Sequence, residues 1–205
     1  MAFHKKIILS TLLAAAVFAQ TSLSNSQKGY TCVGGASSAP IRIEVFSDFQ
    51  CPGCRDLYLR TMRFVLDDYA ASGKVCVVYH ELPLKMHQHA RAAARYGQAA
   101  QRLGQRYWRR LADALYSTQD QWAADGNIER VLAEAFSKDE LARLRNETIE
   151  PRNQASIESD LNLAKELVVE QTPTLLVTTK NNTERTAGIV EYAVIKRFLD
   201  YYLTY

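Results

Sequence analysis

Apolar and polar positions alternate along Ile41-Arg42-Ile43-Glu44-Val45-Phe46, with β-branched residues at 41, 43 and 45, as in a strand. From Arg55 to Ala70 the period lengthens. Tyr58, Met62, Val65, Leu66 and Tyr69 share one helical stripe, which Ser72-Gly73 ends. Lys74 to Leu84 (KVCVVYHELPL) is apolar enough for a strand buried on both faces. Strand, helix and strand in that order predict a βαβ unit with parallel strands. His87 to about Ser117, rich in Ala, Arg and Gln, predicts a long helical stretch, and Asn127 to Phe136, Lys138 to Asn146 and Arg152 to Val168 add more helix. Gln171-Thr172-Pro173 breaks that pattern before a strand at Thr174 to Thr179. Asn181-Asn182 reads as a turn, Glu184 to Ala187 as a returning strand and Tyr192 to Leu203 as a closing helix. Gln20 to Ala39, rich in small residues, reads as an amino-terminal arm in which Tyr30-Thr31-Cys32-Val33 forms a short edge strand.

Composition changes this picture mainly at the amino terminus. The 205 residues suit one domain, and 47% hydrophobic with 23% charged residues is a globular balance. Met1 to Ala19 reads as a secretory signal peptide: His4, Lys5 and Lys6 precede an apolar run, Ile7 to Phe18, that ends in small residues. Cleavage suits the bond after Ala19, with Ala14-Ala15-Ala16 a second option; an uncleaved anchor is the alternative. The run falls short of the roughly 20 residues that span a bilayer, and no cysteine follows it directly to carry a lipid. Without residues 1–19 the basic count falls from 25 to 23 against 22 acids, about +1 at neutral pH. Nucleic acid is therefore not an expected partner, and Arg91, Arg95, Arg102, Arg106, Arg109 and Arg110 read as a solvated helix face. Cys32, Cys51, Cys54 and Cys76 remain in the exported part, an even number that permits disulfides.

The chemistry concentrates in Cys51-Pro52-Gly53-Cys54, at the junction of the first strand and its helix. A thiolate, not a thiol, attacks disulfides. At a helix start, Cys51 would meet unpaired backbone N–H groups and the positive end of the dipole, and both favour the thiolate. Pro52 suits the first helical position, where a missing N–H costs nothing. Cys54, one turn inside, would be the more buried sulfur and the resolving thiol for a mixed disulfide on Cys51. A zinc half-site is the bland alternative, but a matching second ligand pair is missing: Cys32 and Cys76 lie apart, and His80, His87 and His89 do not complete one. A purely structural CxxC bond would stabilise little, because its ring is so small. Trp108 and Trp122 read as core or groove aromatics, and His87 and His89 as the start of the helical block, with lining of a groove near Cys51 the other reading.

The segment Phe46-Ser47-Asp48-Phe49-Gln50-Cys51-Pro52-Gly53-Cys54 resembles the active-site segment of the DsbA-like thiol-disulfide oxidoreductases. The resemblance continues through His89-Ala90-Arg91-Ala92-Ala93, Trp108 to Trp122, Leu163 to Leu167 and Gln171-Thr172-Pro173-Thr174, covering about residues 30 to 203. It implies an α/β fold: a thioredoxin-like mixed sheet, residues 40–205, with a helical insertion at about 86–168. It implies that Pro173 is cis and stands beside Cys51, exposing the backbone of Thr172 for a substrate to pair as an added strand. Strongly oxidising members carry His where Gly53 stands, so Gly53 implies a less acidic Cys51 and a less oxidising bond. Thr172 resembles isomerase-type relatives. Glu44 aligns, through the Phe-Ser pair, with a buried acid that takes the proton from the second cysteine, which implies a raised pKa from desolvation; a surface or edge-paired Glu is the other reading. The thioredoxin-like order places the amino-terminal strand beside that of Cys76, so Cys32 and Cys76 either bond or remain a free and a buried thiol.

The expected activity is thiol-disulfide exchange on exported proteins, in the bacterial periplasm or cell envelope, with catalytic residues Cys51, Cys54, Thr172, Pro173 and Glu44. No cofactor and no metal is expected, and a membrane quinone-linked redox partner is implied by the family. The rival from another class is an exported soft-metal carrier holding Cu(I) between Cys51 and Cys54. Met62 and Met86 are its only extra soft donors, and Met62 falls on the core stripe of its helix.

Overall fold

The computed structural model describes residues 30–204, so the expected leader and the first half of the arm lie outside the described residues. Strand β1 (Ile41–Ser47) leads into a helical run over residues 52–70. That run begins as α1 (Pro52–Leu57), continues through a π-helical turn (Tyr58–Met62) and α2 (Arg63–Val65), and closes in a second π turn (Leu66–Ala70). Strand β2 (Val75–Glu81) follows, then six helices: α3 (Ala90–Leu103), α4 (Gln105–Ser117), α5 (Gln119–Trp122), α6 (Ile128–Ala135), α7 (Lys138–Thr148) and α8 (Pro151–Glu166). The chain returns to the sheet through β3 (Thr174–Thr178) and β4 (Thr183–Ala187) and ends in α9 (Tyr192–Thr204).

The sheet order is β2-β1-β3-β4. β1 and β2 are parallel, as the βαβ reading requires, and β3 runs antiparallel to both β1 and β4. This is the mixed thioredoxin-like sheet with helices inserted between β2 and β3. Two expectations change. The long helix from His87 to Ser117 is two helices, because Gly104 takes φ 112°, a conformation L side chains avoid. The edge strand at Tyr30 to Val33 reduces to one bridge between Gly34 and Val77, with the Val33 N–H donating to the Val77 carbonyl at 2.7 Å. The arm seats so tightly there that a Cβ on Gly35 would stand 1.9 Å from the Val75 carbonyl oxygen.

Period-two alternation divides the sheet into two faces with different tasks. Ile41, Ile43 and Val45 of β1, with Val75, Val77 and Tyr79 of β2, pack against Cys54, Leu57, Tyr58 and Met62 of the first helical run and against Trp108 and Leu111 of α4. The residues between them face α8. Phe46 packs with Leu176 and Ala164, and the ring of His80 stacks on Phe46 at 4.7 Å. His80 also clasps α8 to the sheet. Its Nδ1 meets Asp160 Oδ1 at 2.9 Å and its Nε2 meets Glu44 Oε1 at 3.2 Å. Asp160 Oδ2 in turn accepts from the Glu81 N–H at 3.0 Å and the Gln98 amide at 2.7 Å. Burial alone would lower the His80 pKa, but hydrogen bonds to Asp160 and Glu44 raise it above the ordinary imidazole value.

Cys32 and Cys76 form a disulfide that ties the arm to β2, with their Cα atoms 5.5 Å apart and a sequence separation of 44. On the chain-entropy view, closing such a loop stabilises the fold by about 4 kcal/mol. Replacing both with serine is expected to lower the thermal midpoint by about 10 °C. Circular dichroism melts of the two proteins check this, and coincident melts would contradict it.

Candidate active site at the strand-to-helix junction

Cys51 is the N-cap of α1, with extended backbone (φ −76°, ψ 123°), and Pro52 occupies the first helical turn without needing a hydrogen bond. The loop before it is held from several sides. The Cys51 N–H donates to the Asp48 carbonyl at 3.1 Å, and the Gln119 amide donates to the carbonyls of Phe49 (2.7 Å) and Cys51 (3.1 Å). Gln50 reaches the Ala123 carbonyl at 2.9 Å and accepts from the His89 N–H at 2.8 Å. The helical insertion thus fixes the pose of the Cys51 loop. Asp48 anchors the same loop from below. Its carboxylate accepts from the N–H groups of Gln50 (2.7 Å) and Leu84 (2.9 Å) and meets His87 Nδ1 at 2.8 Å.

Neither cysteine is disulfide-bonded, and 8% of Cys51 is exposed against 1% of Cys54. That asymmetry sets their chemistry. The Cys54 thiol hydrogen-bonds to Cys51 and is the largest influence lowering the Cys51 pKa; burial opposes it, and Thr172 and the N–H groups of Cys54 and Gly53 add to the lowering, to about 5. Burial first, then the Cys51 charge, push Cys54 well above the ordinary thiol value. Hydrogen bonds thus favour the Cys51 thiolate, which offsets the loss implied by Gly53.

The Thr172-Pro173 bond is cis, as the resemblance implied. The Cys51 thiol donates to the Thr172 carbonyl at 3.6 Å, and the buried Thr172 hydroxyl has no hydrogen-bond partner. Gly53 has a steric part as well as an electrostatic one. A Cβ there would lie 3.3 Å from Pro173 Cδ and 3.8 Å from the Cys51 sulfur.

Four of the five expected residues thus meet within one cluster: Cys51, Cys54, Thr172 and Pro173. Glu44 does not join them. Alternation along β1 places Val45 on the face toward Cys54 and Glu44 on the face toward α8. There Glu44 pairs with Arg42 at 3.1 Å and with His80. Burial would raise its pKa, but the His80 hydrogen bond and the Arg42 charge outweigh it, so the pKa is lowered, opposite to the expectation. Ser47 was not singled out in the sequence. Its hydroxyl hydrogen-bonds to Tyr116 at 2.8 Å and to the Cys54 sulfur, which also accepts from the Asp48 N–H at 3.4 Å. A polar pair, Ser47-Asp48, directly after an apolar strand was the available signal.

A family model described as Thioredoxin matches residues 27–200. "Probable disulfide bond formation protein D" of Bacillus anthracis is 20% identical over 83% of this chain and 81% of its own. In three dimensions the chain is similar to α-DsbA1 of Wolbachia pipientis, with TM-score 0.67 and 17% identity over 82% of this chain and 88% of that one. It is also similar to a periplasmic thioredoxin-like protein from Salmonella enterica serovar Typhimurium, with TM-score 0.65 and 20% identity over 83% and 88% of the two chains. The chain belongs to the thioredoxin family, as a DsbA-like thiol-disulfide oxidoreductase.

In the reduced protein, the ultraviolet absorbance of the Cys51 thiolate is expected to titrate with a midpoint of about 5. Thr172 is one of the groups that lower the Cys51 pKa, so Thr172→Val should raise that midpoint by about one pH unit. An unmoved midpoint would assign the whole effect to Cys54 and the backbone N–H groups.

Proposed function

We propose that the protein works outside the cytoplasm as a disulfide donor to exported proteins, with Cys51 the attacked sulfur and Cys54 the leaving one. The single observation that carries this reading is the acid Cys51 beside a buried, high-pKa Cys54 at the start of α1. A substrate thiolate attacks the Cys51 sulfur of the Cys51–Cys54 bond, Cys54 leaves, and a second substrate thiol resolves the mixed disulfide. A stabilised Cys51 thiolate favours the reduced protein, which makes the bond a good oxidant. The Thr172 carbonyl beside the Cys51 sulfur supports docking of substrate backbone along that segment.

Export is supported by the leader-like residues 1–19 and by the Cys32–Cys76 disulfide. Reoxidation by a membrane quinone-linked protein follows from the family resemblance. Run in reverse, the Cys51 thiolate attacks first and Cys54 resolves, which gives reduction or isomerisation; Thr172 favours some share of this. The soft-metal carrier is the weaker reading. Met62 is fully buried in the core and Met86, 82% exposed, sits in the loop after β2.

Equilibration with glutathione tests the proposal. The wild type should show one reversible couple more oxidising than about −200 mV, and Cys51→Ser should show none. A couple near about −270 mV would make the protein a reductase instead, and no couple at all would end the reading.

A further inference from the structure

Glu81 ends β2 on the face toward Cys54. Ser47 and Glu81 are register partners in the parallel pair of β1 and β2, so their side chains project from the same face, side by side. Ser47 is the residue whose hydroxyl touches both the Cys54 sulfur and the Tyr116 phenol. Glu81 is 2% exposed, and its Oε1 has no hydrogen-bond partner. The opposing helix α3 leaves room for it only because residue 97 is glycine. A Cβ there would stand 2.2 Å from Glu81 Oε1 and 2.7 Å from Phe49 Cε2. Phe49 packs in turn against Tyr116, ring centroids 5.0 Å apart. The Tyr79 hydroxyl, on the same strand face, is likewise buried without a partner. A buried carboxyl with an unfilled oxygen is costly to keep, and such groups concentrate where protons move.

We propose that Glu81 is the proton reservoir for Cys54, exchanging its proton with the buried sulfur along the hydroxyls of Ser47 and Tyr116. The proposal rests on the disulfide-exchange reading of the same site. When a substrate thiolate bonds to the Cys51 sulfur, the Cys51–Cys54 bond breaks and its electron pair leaves on Cys54. The Glu81 carboxyl supplies one proton, so Cys54 becomes a thiol and Glu81 a carboxylate, which solvent later reprotonates. In the reverse direction the Glu81 carboxylate takes the Cys54 proton as that sulfur attacks the mixed disulfide. Glu81 touches neither reacting sulfur; it is a positioning residue for the proton.

The surroundings keep the proton on Glu81 until it is needed. Burial, then the carboxylates of Asp160 from α8 and Asp48 from the loop, raise its pKa well above the ordinary value. Cys54 from α1, Tyr116 from α4 and Tyr79 from β2 itself are the other titratable groups on this side, and both tyrosines lie within electrostatic reach of Glu81 and Cys54 alike.

The test follows reduction of the oxidised full-length protein by glutathione across pH, with rates expressed per glutathione thiolate. Glu81→Gln keeps the size of the side chain and removes the exchangeable acid. It should slow reduction by on the order of 10–100-fold at neutral pH and flatten the pH profile, with Glu81→Asp restoring part of both. A Glu81→Gln protein that follows the wild-type profile at every pH would overturn the proposal. If Glu81→Gln does not fold, the oxidised-minus-reduced infrared spectrum of the wild type decides: a buried protonated-carboxyl band should shift, and an unshifted one overturns the proposal. A wild type that glutathione cannot reduce at all would fail the functional reading, a result separable from a wild type that reacts while Glu81→Gln matches it.

Discussion

The first turn of a helix holds backbone N–H groups that no carbonyl of its own can reach, and in this fold a sulfur stands where they point. Cys51 caps α1, and the N–H groups of Gly53 and Cys54 act on it together with the Cys54 thiol and Thr172. Most of the surrounding structure can be understood as holding that sulfur there. β1 delivers it, the Gln119 and Gln50 hydrogen bonds lock its loop to the helical insertion, and the Thr172-Pro173 segment closes over it. Gly53 lets Pro173 approach within contact distance. A charged residue at that position is one way to acidify the thiol, and the hydrogen bonds around Cys51 are another.

The two faces of the sheet carry two polar systems that share a strand. Toward α8, His80 bridges Glu44 and Asp160 and fastens the helical insertion to the sheet. Toward α1, Ser47, Tyr116 and Glu81 lie on the same buried side as Cys54. Asp160 links them, since one of its oxygens meets His80 and the other accepts the Glu81 backbone N–H. The insertion thus positions the loop of Cys51 from above and the carboxyl-bearing end of β2 from below.

Much of this was legible in the residues. The alternation at Ile41 to Phe46, the stripe from Tyr58 to Tyr69 and the apolar run of β2 fixed a parallel βαβ unit, and Cys51-Pro52-Gly53-Cys54 placed its chemistry. The break at Gly104 was missed because glycine inside an Ala-rich helical pattern looks tolerable until its positive φ is seen. Glu44 misled for a different reason. Matching Phe46-Ser47 to the family fixed the residue but not its face, and one step along a strand reverses the side chain. Glu81 was hidden inside a run read as a strand buried on both faces, although a carboxyl in such a strand is itself a signal.

If the stabilised Cys51 thiolate drives the reaction, the reduced protein must be more stable than the oxidised one, contrary to the usual effect of a disulfide. The direct measurement is urea unfolding of both forms at neutral pH, with the Cys32–Cys76 bond verified intact by mass. The account predicts a higher midpoint for the form with free Cys51 and Cys54. A higher midpoint for the form with Cys51 and Cys54 bonded would contradict it.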